Sequence, residues 1–142
     1  GYRELVGPKE FKKAGVEFLI QGLVARKSFA ARNRDVVIAM IKATMEGTKQ
    51  IFVNEKHAKA VLAKYTRQTD PEILDQTYKF TLDIFVKDPT VTPASIQPIV
   101  QQPAQFNLVD GKLAGSTPIT AYYDNSYIEE IKKSGFFAQL WK

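Results

Sequence analysis

The chain has 142 residues, 44% of them hydrophobic and 25% charged, which excludes a disordered polar tract and suffices for one domain with a core of its own. A net charge of +5 raises nucleic acid or an anionic surface as a partner. The cations Lys9, Lys12, Lys13, Arg26, Lys27, Arg32, Arg34, Lys132 and Lys133 are dispersed, however, with acids interleaved through the middle of the chain, which argues against the concentrated basic face that nucleic acid requires.

Cysteine is absent, so disulfides, thiolate metal sites and a cysteine nucleophile are excluded. No run approaches the ~20 apolar residues of a membrane span, and Gly1-Tyr2-Arg3-Glu4 lacks the basic-then-apolar pattern of a secretion signal.

Taken in chain order, the first strong signal is Gly15 to Ala25, rich in β-branched and large apolar residues and bounded by glycine. It reads as a buried strand interrupted at Gln21-Gly22, where Gly22 suggests a bulge or a close backbone approach. A lone strand cannot satisfy its own backbone hydrogen bonds, so it requires neighbours. Ser28 reads as the N-cap of a short turn through Phe29 to Arg32.

A longer helix is predicted from Arg34 to Gln50, with Val37, Met40, Ile41, Thr44, Met45 and Thr48 as its inward stripe. Asn54 caps the next helix, whose inner side is Ala58, Val61, Leu62 and Tyr65. Asp70-Pro71 opens a third, facing inward through Leu74, Thr77, Tyr78 and Thr81. Thr92-Pro93 repeats that device ahead of a helix from Ser95 to Gln102, with Ile96, Ile99 and Val100 inward. Periodicity fades from Pro103 to Tyr123. Ser126-Tyr127-Ile128-Glu129 then reads as a capping box for a last helix ended by Gly135, followed by the apolar tail Phe136, Phe137, Leu140 and Trp141.

No constellation for catalysis emerges. His57 is the sole histidine and stands among alanines and lysines, and Glu129 and Glu130 are adjacent on a helix and so point to different faces. Neither a nucleophile elbow at Ser116 nor a phosphate-binding glycine loop is present. The expectation is a protein that is not an enzyme, with no metal site and no cofactor. The aromatics Tyr122, Tyr123 and Tyr127, and Phe136, Phe137 and Trp141, read as packing in preference to a ligand-stacking patch.

Several segments, in order, resemble a known family. Gly22-Leu23-Val24-Ala25-Arg26-Lys27-Ser28-Phe29, then Glu46-Gly47, then Asn54 through the run Val61-Leu62-Ala63-Lys64-Tyr65 are similar to the C-terminal part of bacterial solute-binding proteins of the nitrate, sulfonate and taurine type. Asp70-Pro71-Glu72-Ile73-Leu74 with Tyr78, and Asp124 to Ile128 with Ser134-Gly135-Phe136, continue the likeness. Residues Phe106 to Tyr122 match no pattern of the family.

The resemblance implies an α/β, mostly helical fragment of one lobe of a type II periplasmic-binding-protein fold. Residues 1–14 would end a second-lobe segment or linker, 15–27 would form the crossover strand, and 28–142 would form the helical C-terminal part of the first lobe. It implies a receptor that binds a small organic or anionic solute between two lobes and delivers it to the permease of an ABC importer, from a periplasmic or membrane-anchored position. Gln21 and Gly22 would line the cleft or serve the hinge, and uncovered helix stripes would drive self-association. The alternative reading is an independent small helical protein-interaction domain without a ligand cleft.

Overall fold

The computed structural model describes residues 5–15, 19, 21–106, 108, 110 and 116–142. Among them every regular element is helical and none is a strand. The elements are α1 (Pro8–Lys13), α2 (Lys27–Arg32), α3 (Arg34–Val53), α4 (Glu55–Thr66), α5 (Pro71–Ile84), α6 (Pro93–Gln105), a 3₁₀ turn (Ile119–Tyr122), α7 (Ser126–Lys133) and α8 (Phe136–Leu140).

This corrects the α/β expectation and its central strand. Of the strand expected over residues 15–27, Val16, Glu17, Phe18 and Ile20 lie outside the described residues. Gly15 sits in a turn with φ of +70°, residues 21–26 have no regular structure, and Lys27 already belongs to α2. The physical reason is the one that made a lone strand problematic. β-Branched composition stabilises a strand only through packing and pairing with neighbours, and no described segment offers an edge to pair with. Leu23 and Val24 consequently face solvent, Val24 at 98% exposure.

Two compact units are present, each drawn from two stretches of chain: Gly1–Val24 with Thr90–Tyr127, and Ala25–Pro89 with Ile128–Lys142. In the first, α6 packs against the 3₁₀ turn. Thr92 and Ser95 form a capping box at the start of α6, and Pro93 occupies the first turn, where its missing N–H costs nothing. Among the described residues of this unit, Ile96 and Tyr127 are the buried large apolar ones. The side-chain amide of Asn125 accepts from the Val91 N–H and donates to the Val91 carbonyl, closing a two-bond clip between segments 34 residues apart. The Leu19 N–H donates to the Ser95 carbonyl.

The second unit is built on consecutive helices: α2 packs on α3, α3 on α4 and α4 on α5. Their joints are short because each helix end is satisfied locally. Asn54 alone separates α3 from α4; its N–H donates to the Gln50 carbonyl while its side-chain oxygen accepts from the His57 N–H. The Ile51 carbonyl, one of the last four of α3, accepts from the Tyr78 hydroxyl at 3.0 Å, which ties α5 to the end of α3. Asp70 caps α5 through the N–H groups of Glu72 and Ile73. Ser28 is not the cap of α2: Arg26 holds that position without a side-chain bond.

The core of this unit is Met45, Ala58, Tyr78, Ile128 and Ile131, with Ile131 at 1% exposure. On α5 the predicted inward residues Leu74, Thr77, Tyr78 and Thr81 are all buried or half-buried. On α3 and α4 the predicted inner face is kept in part: Val37, Ile41, Met45 and Thr48, with Ala58 and Leu62, are buried or half-buried, whereas Thr44 and Val61 are exposed. Met40 is 52% exposed while Ile38, Lys42 and Phe52 turn inward, and Tyr65 is 76% exposed while Lys59 takes an inner position. Gly135, with φ of +79°, ends α7 as predicted and starts α8.

Because Ile131 fills the centre of a thin core, Ile131→Ala should lower the free energy of unfolding by about 2–5 kcal/mol. Urea denaturation followed by circular dichroism measures it, and a loss within about 0.5 kcal/mol would place the centre elsewhere.

Candidate functional site

The two residues that the resemblance assigns to a cleft or hinge are at the surface. Gln21 and Gly22 are exposed, in the stretch without regular structure. A Cβ at Gly22 would meet only Leu19 Cδ2, at 3.7 Å, an ordinary contact, so no close backbone approach requires glycine there. His57 is exposed on α4. Glu130 reaches away from Glu129 to pair with Arg34 at 2.8 Å. Among the described residues no group of three or more metal-binding side chains occurs, and no helix is long and apolar enough to cross a membrane.

What the second unit does bring together is lysine and aromatic rings. After Gly135 turns the chain, α8 runs five residues, and its two phenylalanines together with Trp141 beyond it fall beside lysines from α3, α7 and the loop after α5. Lys42 of α3 lies 4.9 Å from the Phe136 ring centre, Lys132 of α7 lies 5.5 Å from that of Phe137, and Lys87, in the loop after α5, lies 5.0 Å from that of Trp141. Lys87 also stands 5.4 Å from the ring centre of Phe52, whose ring meets Trp141 edge to face at 5.8 Å and 77°.

Such contacts draw on the negative face of the aromatic ring and contribute about 0.5–1 kcal/mol each where water still reaches them. The next residue, Asp88, pairs with Lys132 at 2.7 Å, so the loop is fixed to α7 as well as to the tail. The indole N–H of Trp141 is buried without an acceptor among the described residues. Ring packing and the lysine cation, therefore, hold the tryptophan, and a hydrogen bond does not.

The sequence pattern identified the aromatics as packing residues, but not their lysines. Lys42, Lys87 and Lys132 are 45 residues apart in successive steps, and nothing in local periodicity links them to a tail whose docking is a tertiary event.

A second cluster ties α4 to α5. Lys59 bonds Glu55 one turn back and Asp75 across the helix pair at 2.7 Å, while Lys79 holds the other oxygen of Asp75 at 2.6 Å. Lys59 also lies 5.5 Å from the Tyr78 ring centre. The hydrogen bonds from Lys59 and then Lys79 hold the Asp75 carboxyl down at about 2, and those to Asp75 and Glu55 raise Lys59. This arrangement fastens two helices and leaves no free acid or base poised for proton transfer.

A carboxyl whose affinity for protons is lower folded than unfolded stabilises the fold above its unfolded value, here 3.8, and loses that contribution as pH falls toward about 2. Urea midpoints measured between pH 5 and pH 2 should therefore fall more steeply in the natural chain than in Asp75→Asn. Parallel curves would show that Asp75 is not held in this way.

No family model matches this chain, and neither a curated protein nor a solved structure matches it.

Proposed function

We propose that the chain is a helical interaction module that holds a protein partner through apolar side chains displayed on helix surfaces, and that it carries out no chemistry of its own. One observation carries this reading: the helices of the second unit present a second set of apolar residues to solvent. Val36 and Met40 are exposed on α3, Val61 and Tyr65 on α4, and Ile73 and Phe80 on α5. Their spacings are four, four and seven residues, so each pair lies along one side of its helix. Covering apolar surface of this kind contributes about 25 cal/mol per Å², and contiguous exposed apolar patches mark interaction surfaces. The net charge of +5 favours an acidic partner by steering.

The likeness to solute receptors supports another arrangement, in which these helices cover a parallel sheet and a solute closes two lobes before delivery to a permease. That arrangement needs the sheet, and the described residues contain none. The interaction reading needs only the helices that are present.

A photo-cross-linking amino acid at position 65 or 40, with one at the exposed Lys56 as control, tests the proposal. The expected result is a discrete protein adduct from positions 65 and 40 and none from 56. An adduct of twice the chain mass would identify a second copy as the partner, as the expected self-association requires. Met40→Glu should abolish the adduct formed at position 65 or leave it untouched according to whether one partner spans both helices. Equal labelling at all three positions, or none at any, would contradict the proposal.

A further inference from the structure

We propose that Lys87 is a modification site, and that acylation of its side chain releases the C-terminal residues Trp141 and Lys142, the tail beyond α8, from the body of the second unit. The inference goes beyond the interaction reading and depends on no partner.

Lys87 differs from the other two lysines of the cluster. Lys132 is engaged by the Asp88 carboxylate and Lys42 is half-buried on α3 beside a single ring. Lys87 is exposed, lies in the irregular loop between α5 and α6, and stands near two rings at once, 5.4 Å from Phe52 and 5.0 Å from Trp141. A modifying enzyme needs a side chain that it can reach on backbone that is not locked in a helix, and Lys87 meets both conditions. Its cation is also the group with most to lose, since both ring contacts depend on the charge.

The step is an acyl transfer. The ammonium first gives a proton to solvent; the neutral amine attacks the carbonyl carbon of an acyl thioester, the C–S bond breaks, the thiolate leaves with the second amine proton as a thiol, and a neutral amide stands where the ammonium was.

Trp141 then keeps only its edge-to-face contact with Phe52, and its buried indole N–H has no acceptor among the described residues to hold it. Losing the one cation–ring contact that reaches the tail, Lys87 over Trp141, shifts the balance between docked and released tail by roughly two- to fivefold. Release uncovers Phe52 at the end of α3 and frees Trp141. The hydrogen bonds of the tail run back to α8: the Trp141 N–H donates to the Phe137 carbonyl and that of Lys142 to the Gln139 carbonyl. Lifting the tail therefore breaks no hydrogen bond to α3.

The chain contains a single tryptophan, so its fluorescence reports this segment and nothing else. Acetyl-lysine installed at position 87 should move the emission of Trp141 to longer wavelength and raise its quenching by acrylamide at least twofold, with the helical circular dichroism unchanged. Lys87→Arg, which keeps a cation over the rings, should behave as the natural chain, and acetyl-lysine at the exposed Lys56 should change nothing. Emission and quenching unaltered by acetylation at 87 would overturn the proposal. So would an equal shift in Lys87→Arg, because the charge would then be irrelevant, and so would a shift accompanied by loss of helix, because the tail would then not move on its own.

Discussion

The burial of Ile131 is the interaction on which the second unit depends. α7 contributes two other buried apolar residues, Tyr127 and Ile128, and is only eight residues long. A helix of that length is not stable alone in water; it exists because one side is taken up by packing. In the second unit, Ile128 and Ile131 share burial with Met45 of α3, Ala58 of α4 and Tyr78 of α5. Residues from the middle of the sequence and from near its C-terminal end thus complete one core. Everything after Ile131, including the turn at Gly135 and the docked aromatics, is positioned by that contact.

Because the core is thin, polar and cationic side chains do much of the joining between helices. Lys59 bridges α4 to α5 through Asp75, Arg34 bridges the start of α3 to Glu130 of α7, and Lys132 bridges α7 to the loop at Asp88. Individually such partly exposed pairs contribute about 0–1 kcal/mol. Their value lies in orientation, since each fixes the rotation of a helix whose apolar stripe leaves it a choice. Lys42, Lys59, Lys79, Lys87 and Lys132 are thereby used within the unit, over rings and against acids.

How far the fold was legible in the sequence follows from which signals are local. Caps and proline positions are local chemistry, and Asn54, Asp70-Pro71, Thr92-Pro93 and Gly135 act as read. The inner face of α5 was read correctly, through Leu74, Thr77, Tyr78 and Thr81, although Ile73 and Phe80 place further apolar residues on its outer side. On α3 and α4 two faces are apolar, and the choice between them is made by neighbours that periodicity does not show; Met40 and Tyr65 went to solvent, and Lys59 turned inward to meet Asp75. The strand expected at Gly15 to Ala25 failed for the opposite reason. Its propensity was strong, but a strand's stability lies in its partners, and the sequence offered no second strand. The lysine–aromatic cluster was illegible because its members are distant in the chain and each is an ordinary surface residue in isolation.

The helical character of the chain and the unpaired state of residues 21–26 are the central claims, and amide hydrogen exchange resolved by mass spectrometry tests both at once. The account predicts the slowest exchange in α3, α5 and the Ile128–Ile131 turn of α7, and exchange near the rate of free peptide across Gln21 to Arg26. Strong protection across Gln21 to Arg26, of the kind that strand pairing gives, would contradict it and restore a sheet to the fold.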